Sequence, residues 1–130
     1  MTTQLFDAGL KKRRQILGDA YVDAALAKAT KLTQPFQELV TETVWGRIWS
    51  RDTLDHRTRN LINVALMVAM NRPNELRLYI EARKQTGATL EEIAEVILQT
   101  SVYCGVPAAL EAFKEFDRQL AQEKQDSKVA

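Results

Sequence analysis

Ten consecutive residues, LINVALMVAM from Leu61 to Met70, limit what this chain can become more than any other stretch. Only Asn63 interrupts them, so a helix through this segment is apolar on nearly every side and must run through the middle of a protein or an assembly. The run is far short of the roughly 20 residues that span a bilayer. Around it the period is helical. Phe36, Leu39, Val40, Val44, Trp45, Ile48 and Trp49 recur three and four apart, with Gln37, Glu38, Thr41, Glu42 and Arg47 between them, and Thr33 stands where a cap belongs. No alternating strand pattern of useful length appears. The expectation is an all-α domain of six or seven helices.

Punctuation sets the boundaries. A short N-terminal segment ends near Leu17 and Gly18, and an Ala-rich helix follows over Tyr21 to Ala29. Asp52 or Asp55 can cap the apolar helix, and Asn71 to Pro73 closes it. A helix over Asn74 to Thr86, with Leu76, Tyr79, Ile80 and Arg83 on one stripe, stops at Gly87. Thr89-Leu90-Glu91-Glu92 is a capping box that opens the next helix. At Cys104-Gly105-Val106-Pro107 a glycine that tolerates a left-handed backbone precedes a proline suited to a first helical turn, so a tight corner is expected there. The last helix continues through Ala109, Leu110, Phe113, Phe116 and Leu120, and residues 121–130 read as a polar tail that frays.

One domain of 130 residues is expected. Eighteen Lys and Arg against seventeen Asp and Glu leave a formal charge of +1, so no global field recruits nucleic acid or a membrane surface. The cluster Lys11-Lys12-Arg13-Arg14 reads as a solvated helix face. Cys104 is the one cysteine, which excludes an internal disulfide and fits a cytoplasmic location, as does an N-terminus without the apolar core of a signal peptide. The one histidine, His56, falls in a first helical turn and is expected to be solvated; one His and one Cys cannot assemble the usual zinc site, and no metal is expected. No nucleophile elbow, phosphate loop or dinucleotide fingerprint occurs. The residues with chemical promise are Arg47, Arg51, Arg57 and Arg59 beside Trp45 and Trp49, since guanidinium groups grip carboxylates and aromatic walls exclude water. Tyr79, Gln99 and Tyr103 fall on apolar stripes, where a buried polar group needs a partner.

The runs RRQILGDAYVD, WGRIWSRDTLDHRTRNL, NRPNELRLYIEARKQTGATLEEIAEVILQ and VYCGVPAALEAF, in this order and spacing, resemble the carboxymuconolactone decarboxylase family over roughly residues 13 to 116. The resemblance implies an alkylhydroperoxidase-like helical fold, a homo-oligomeric ring that is commonly a hexamer, and a cofactor-free carboxy-lyase of aromatic-acid degradation that converts 4-carboxymuconolactone to an enol-lactone of 3-oxoadipate. Carried over by position, it implies Arg59, with Arg51 or Arg47, for substrate carboxylates, and Trp45, Trp49 and Tyr103 as walls. It makes Tyr79 the proton donor or oxyanion partner, oriented by Gln99, with Glu75 one turn before it. The family's decarboxylases read Glu-Leu-x-x-His where this chain has Glu75-Leu76-Arg77-Leu78-Tyr79, and often carry His at the position of Gln99. The alternatives are a lactone isomerase or hydrolase, or a ring-shaped ligand-binding protein without catalysis. The thiol relay of the wider superfamily would need cysteines at Arg72 and Glu75, a histidine at Tyr79 and an acid at Asn60, and this chain has none of them.

Overall fold

The structure, a computed structural model, describes residues 3–129, and no strand occurs among them. The elements are α1 (Gln4–Leu17), α2 (Asp19–Ala27), α3 (Gln34–Val40) running straight into a π-helix (Thr41–Ile48), α4 (His56–Ala69), α5 (Pro73–Glu81), the single turn α6 (Arg83–Thr86), α7 (Leu90–Tyr103) and α8 (Val106–Val129). Counting α3 with its continuation and α5 with α6, these are seven rods, within the expected six or seven. The chain divides between His56 and Arg57 into two compact units.

In the first unit, α1 starts at Thr3, whose Oγ1 accepts from the Phe6 amide at 2.9 Å, and stops at Gly18, with φ 88°. Its buried positions are Gly9, Arg13 and Ile16. Gly9 lets α1 cross the π-helix backbone to backbone: a Cβ there would lie 2.0 Å from the Thr41 carbonyl oxygen, and one on Gly46 would lie 2.8 Å from that of Leu5. Arg13 is 5% exposed and donates to Gln37 Oε1 at 2.9 Å and Thr41 Oγ1 at 3.3 Å. The basic cluster is therefore no uniform solvated face: helical periodicity turns one of its four cations inward. Thr33 does not cap α3; its own backbone is already helical, and its hydroxyl accepts instead from the Thr30 amide at 2.8 Å. The expected uniform helix over 33–49 changes its winding at Thr41. Hydroxyls return to the carbonyls four residues earlier at Thr41 and Thr43, both at 2.7 Å, and such bonds bend helices. By Trp49 the main chain bonds five residues back, to the Val44 carbonyl at 2.9 Å. With more than four residues per turn, Trp45 and Trp49 stack on the buried side, 3% and 4% exposed.

In the second unit the core is Val64 and Val68 of α4, Leu76 and Ile80 of α5, Ile93 and Ile97 of α7, and Ala109 and Ala112 of α8. The apolar helix α4 is covered on one side alone within the chain. Ile62, Leu66 and Met70 remain 43%, 45% and 53% exposed, because the neighbouring helices reach only the Val64 and Val68 stripe. Asn71, with φ 55°, and Pro73 make the turn into α5. The expected helix 74–86 is interrupted at Ala82, since polar side chains take over the last carbonyls of α5: Asn60 Nδ2 donates to that of Tyr79 at 2.8 Å and Arg83 to that of Ile80 at 2.9 Å. Gly87 ends the turn in the left-handed region, and the Thr89 to Glu92 capping box is complete in both directions. The corner falls where the sequence puts it, with Gly105 at φ 102° between α7 and α8.

The segment expected as a polar tail is helical here, for α8 continues to Val129. Arg83 grips Glu123 with two bonds, 2.9 and 2.6 Å, Gln119 adds one at 3.0 Å, and Gln122 donates to Asp126 one turn on. Hydrogen bonding to Arg83 holds the Glu123 carboxyl down at about 2, and the Arg83 guanidinium is raised in turn, mainly by the same bond. No helix among the described residues is long and apolar enough to cross a membrane.

Candidate functional site

Tyr79 lies in the last turn of α5 and is 8% exposed. Its backbone is fixed from α4, where Asn60, wholly buried, donates to the Tyr79 carbonyl while its own Oδ1 accepts the Thr86 hydroxyl at 2.6 Å. Arg59, half-buried, precedes Asn60 on the same helix, so the guanidinium and the phenol expected to act on substrate sit on two helices joined by one amide. Glu75 is one turn before Tyr79 and exposed.

Gln99 and Tyr103, one turn apart on α7, are exposed and border a different feature, a hollow of about 460 Å³. Leu61, Ile62, Leu66 and Val96 give it an apolar wall, and the exposed thiol of Cys104 lies at its edge. Tyr79 is not among the residues around it. The structure thus brings Gln99 and Tyr103 to one hollow, while Arg59 and Tyr79 lie outside it, on helices linked through Asn60.

The first unit presents a hollow of about 280 Å³ bordered by Lys12, Trp49, Arg51, Asp52, Asp55 and His56. Trp49 stacks on Trp45 with ring centroids 5.1 Å apart and faces His56 at 6.3 Å. Of the expected carboxylate-binding residues, Arg51 is here with Trp49; Arg47 is exposed and borders neither hollow. His56 corrects the reading of a solvated histidine. It is half-buried, and Lys12 Nζ lies 3.1 Å from its Nε2. An ammonium only donates, so this contact makes Nε2 the acceptor and leaves the imidazole proton on Nδ1.

Asn60 and Lys12 are the two residues with a place in this geometry that sequence reasoning left without one. Each works through a partner far along the chain, 19 residues away for the Asn60 bond to Tyr79 and 44 for Lys12 and His56.

The chain matches the Carboxymuconolactone decarboxylase family over residues 34–118. It is 42% identical over 109 residues, 84% of this chain and 76% of the relative, to nitrosuccinic acid decarboxylase npaB of Metarhizium robertsii. It is 36% identical over 106 residues, 82% of this chain and 79% of the relative, to the 4-carboxymuconolactone decarboxylase of Acinetobacter baylyi.

Proposed function

Since the chain belongs to the carboxymuconolactone decarboxylase family and is a carboxy-lyase, we propose that its substrate is a small polycarboxylic acid whose reacting carbon is conjugated to a carbonyl or nitro group, and that it needs no cofactor. The names of the two relatives share this chemistry. When the carbon–carbon bond to the departing carboxylate breaks, carbon dioxide leaves and the electron pair stays behind. In 4-carboxymuconolactone the pair spreads through the ring double bond to the lactone carbonyl; in nitrosuccinic acid it moves directly into the nitro group. Either way negative charge gathers on oxygen, and a proton then returns to carbon. The substrate carries its own electron sink. The protein has to hold a carboxylate, donate to the developing oxyanion and supply that proton.

The second unit has a group for each task. Arg59 is assigned to the carboxylate, as a guanidinium matches it in two bonds. Tyr79 is assigned to the oxyanion and the proton: a phenol, with an ordinary pKa of about 10, is a donor rather than a base at neutral pH. The observation that carries the assignment is the placement of Tyr79, 8% exposed at the position where the resembling family has its histidine, on a helix tied to that of Arg59. A second reading draws on the first unit, whose hollow collects Lys12, Arg51 and the chain's one imidazole against Trp49.

Incubation with each of the two named substrates, followed by carbon dioxide release and proton NMR of the product, tests the reaction. Tyr79→Phe should lower kcat by about a hundredfold, the low end of what a general acid contributes, while His56→Gln changes it by less than about twofold. The reverse pattern would move proton delivery to His56. No turnover of either substrate, where a relative turns its own over, would leave the isomerase, hydrolase or binding-protein alternatives. We also assign the exposed Ile62, Leu66 and Met70 to contacts between copies in a ring, because apolar side chains so close together are costly in water. A monomer in sedimentation at micromolar concentration would refute the ring.

A further inference from the structure

Asn60 occupies a position where an apolar residue would be expected. Together with Val64 and Val68 it forms the buried stripe of α4, four residues apart each time, and all three are at most 4% exposed. An amide in such a stripe is costly unless all of it is bonded. Here both ends are used: Nδ2 donates to the Tyr79 carbonyl at 2.8 Å, and Oδ1 accepts from the Thr86 hydroxyl at 2.6 Å. The amide thereby links α4, the last turn of α5 and the turn α6. A hydrophobic side chain could fill the volume; it could not set the height and rotation of residue 79 against α4. A carboxylate could accept from Thr86 but, when ionised, has no proton for the Tyr79 carbonyl.

We infer that Asn60 is a positioning residue for the reaction, holding the α5 main chain so that the Tyr79 phenol keeps one place relative to bound substrate. The inference rests on the assignment of Tyr79 as donor. Thr86 is the other half of the device: its hydroxyl fixes which edge of the amide faces Tyr79. Displacement of a reacting group by about 1 Å can cost on the order of a hundredfold in rate. Substrate binding through Arg59 lies on the rigid side of the joint, so the loss should fall on kcat and spare KM.

The test is a double-mutant cycle on the full chain, read as kcat and KM on the substrate that the wild type turns over, with thermal melting alongside. Asn60→Ala, which removes both bonds, should lower kcat by about tenfold and leave KM within about twofold. In a Tyr79→Phe background the same change should move kcat by less than about twofold, because there is no donor left to misplace. A merely structural role predicts equal losses in both backgrounds, and that result overturns the inference. Thr86→Val, at a half-buried position, removes the bond to Asn60 and the longer one accepted from the Ala88 amide at 3.4 Å, and should lower kcat by about threefold with the same dependence on Tyr79; it carries the cycle if Asn60→Ala does not fold. If Tyr79→Phe alone is active at the wild-type rate, the donor assignment falls, and the inference with it. If Tyr79→Phe is slow while Asn60→Ala and Thr86→Val are both at the wild-type rate, the inference alone falls.

Discussion

The two units hold their helices by opposite means. In the first, α1 and the π-helix approach until their main chains nearly touch, and the contact exists because Gly9 and Gly46 lack side chains. In the second, helix ends are caught by long polar side chains: Asn60 and Arg83 on the last carbonyls of α5, and Glu123 of α8 on Arg83. Close packing of backbone permits almost no adjustment. Side-chain clasps can be loosened one bond at a time. The difference suits the chemistry assigned to the second unit, where a phenol has to be held in place by a joint that can be set from outside the site.

The substitution with the largest expected effect attacks the first unit. Gly9→Ala puts a carbon into the Thr41 carbonyl and should destabilise the chain by about 3 kcal/mol, read from urea denaturation; a change under about 1 kcal/mol would mean that the helices can part without penalty. Next comes the Arg83 clasp. Arg83→Met leaves a mostly buried carboxylate without its main donor and should cost about 2 kcal/mol, while also lowering helicity at the end of α8, where ellipticity would show it. The same clasp makes the protein sensitive to acid. Glu123 is held at about 2, below its ordinary 4.5, so its stabilisation is complete above pH 4.5 and is lost as pH falls from there toward 2; Glu123→Gln should flatten the melting temperature over that range. The smallest effect should come from Thr89→Ala, which removes one arm of the capping box at the start of α7 for about 1 kcal/mol. If Thr89→Ala proved as damaging as Gly9→Ala, the contrast between rigid and adjustable units would collapse.

Features written within a few residues were legible. The capping box, the Gly105 corner, the stop at Gly87 and the all-α class follow from local periodicity and from what glycine and proline allow, and each is where the sequence places it. What escaped depends on distant partners. Nothing near Asn60 announces that its amide meets Tyr79 and Thr86, 19 and 26 residues on, and nothing near Gln122 says that Arg83 and Lys84 will hold the next turn of α8. The π-helix was hidden for another reason: its apolar spacing of three and four serves an α-helix equally well, and the change of winding comes from threonine hydroxyls competing for main-chain carbonyls. Of the candidate site, Arg59 and Tyr79 are assigned from family position and not from any local pattern, whereas the half-burial of His56 escaped because a lone imidazole in a first turn carries no local sign of the lysine 44 residues earlier that meets it.

The stacked pair Trp45 and Trp49 has a practical consequence. They are the chain's two tryptophans, and both belong to the first unit, so intrinsic emission reports on that unit by itself, with quenching expected from rings 5.1 Å apart. Far-ultraviolet ellipticity, by contrast, comes from helices throughout. Overlaying the two signals along one urea titration would reveal whether the chain melts as the single domain expected of its length or whether one half lets go before the other.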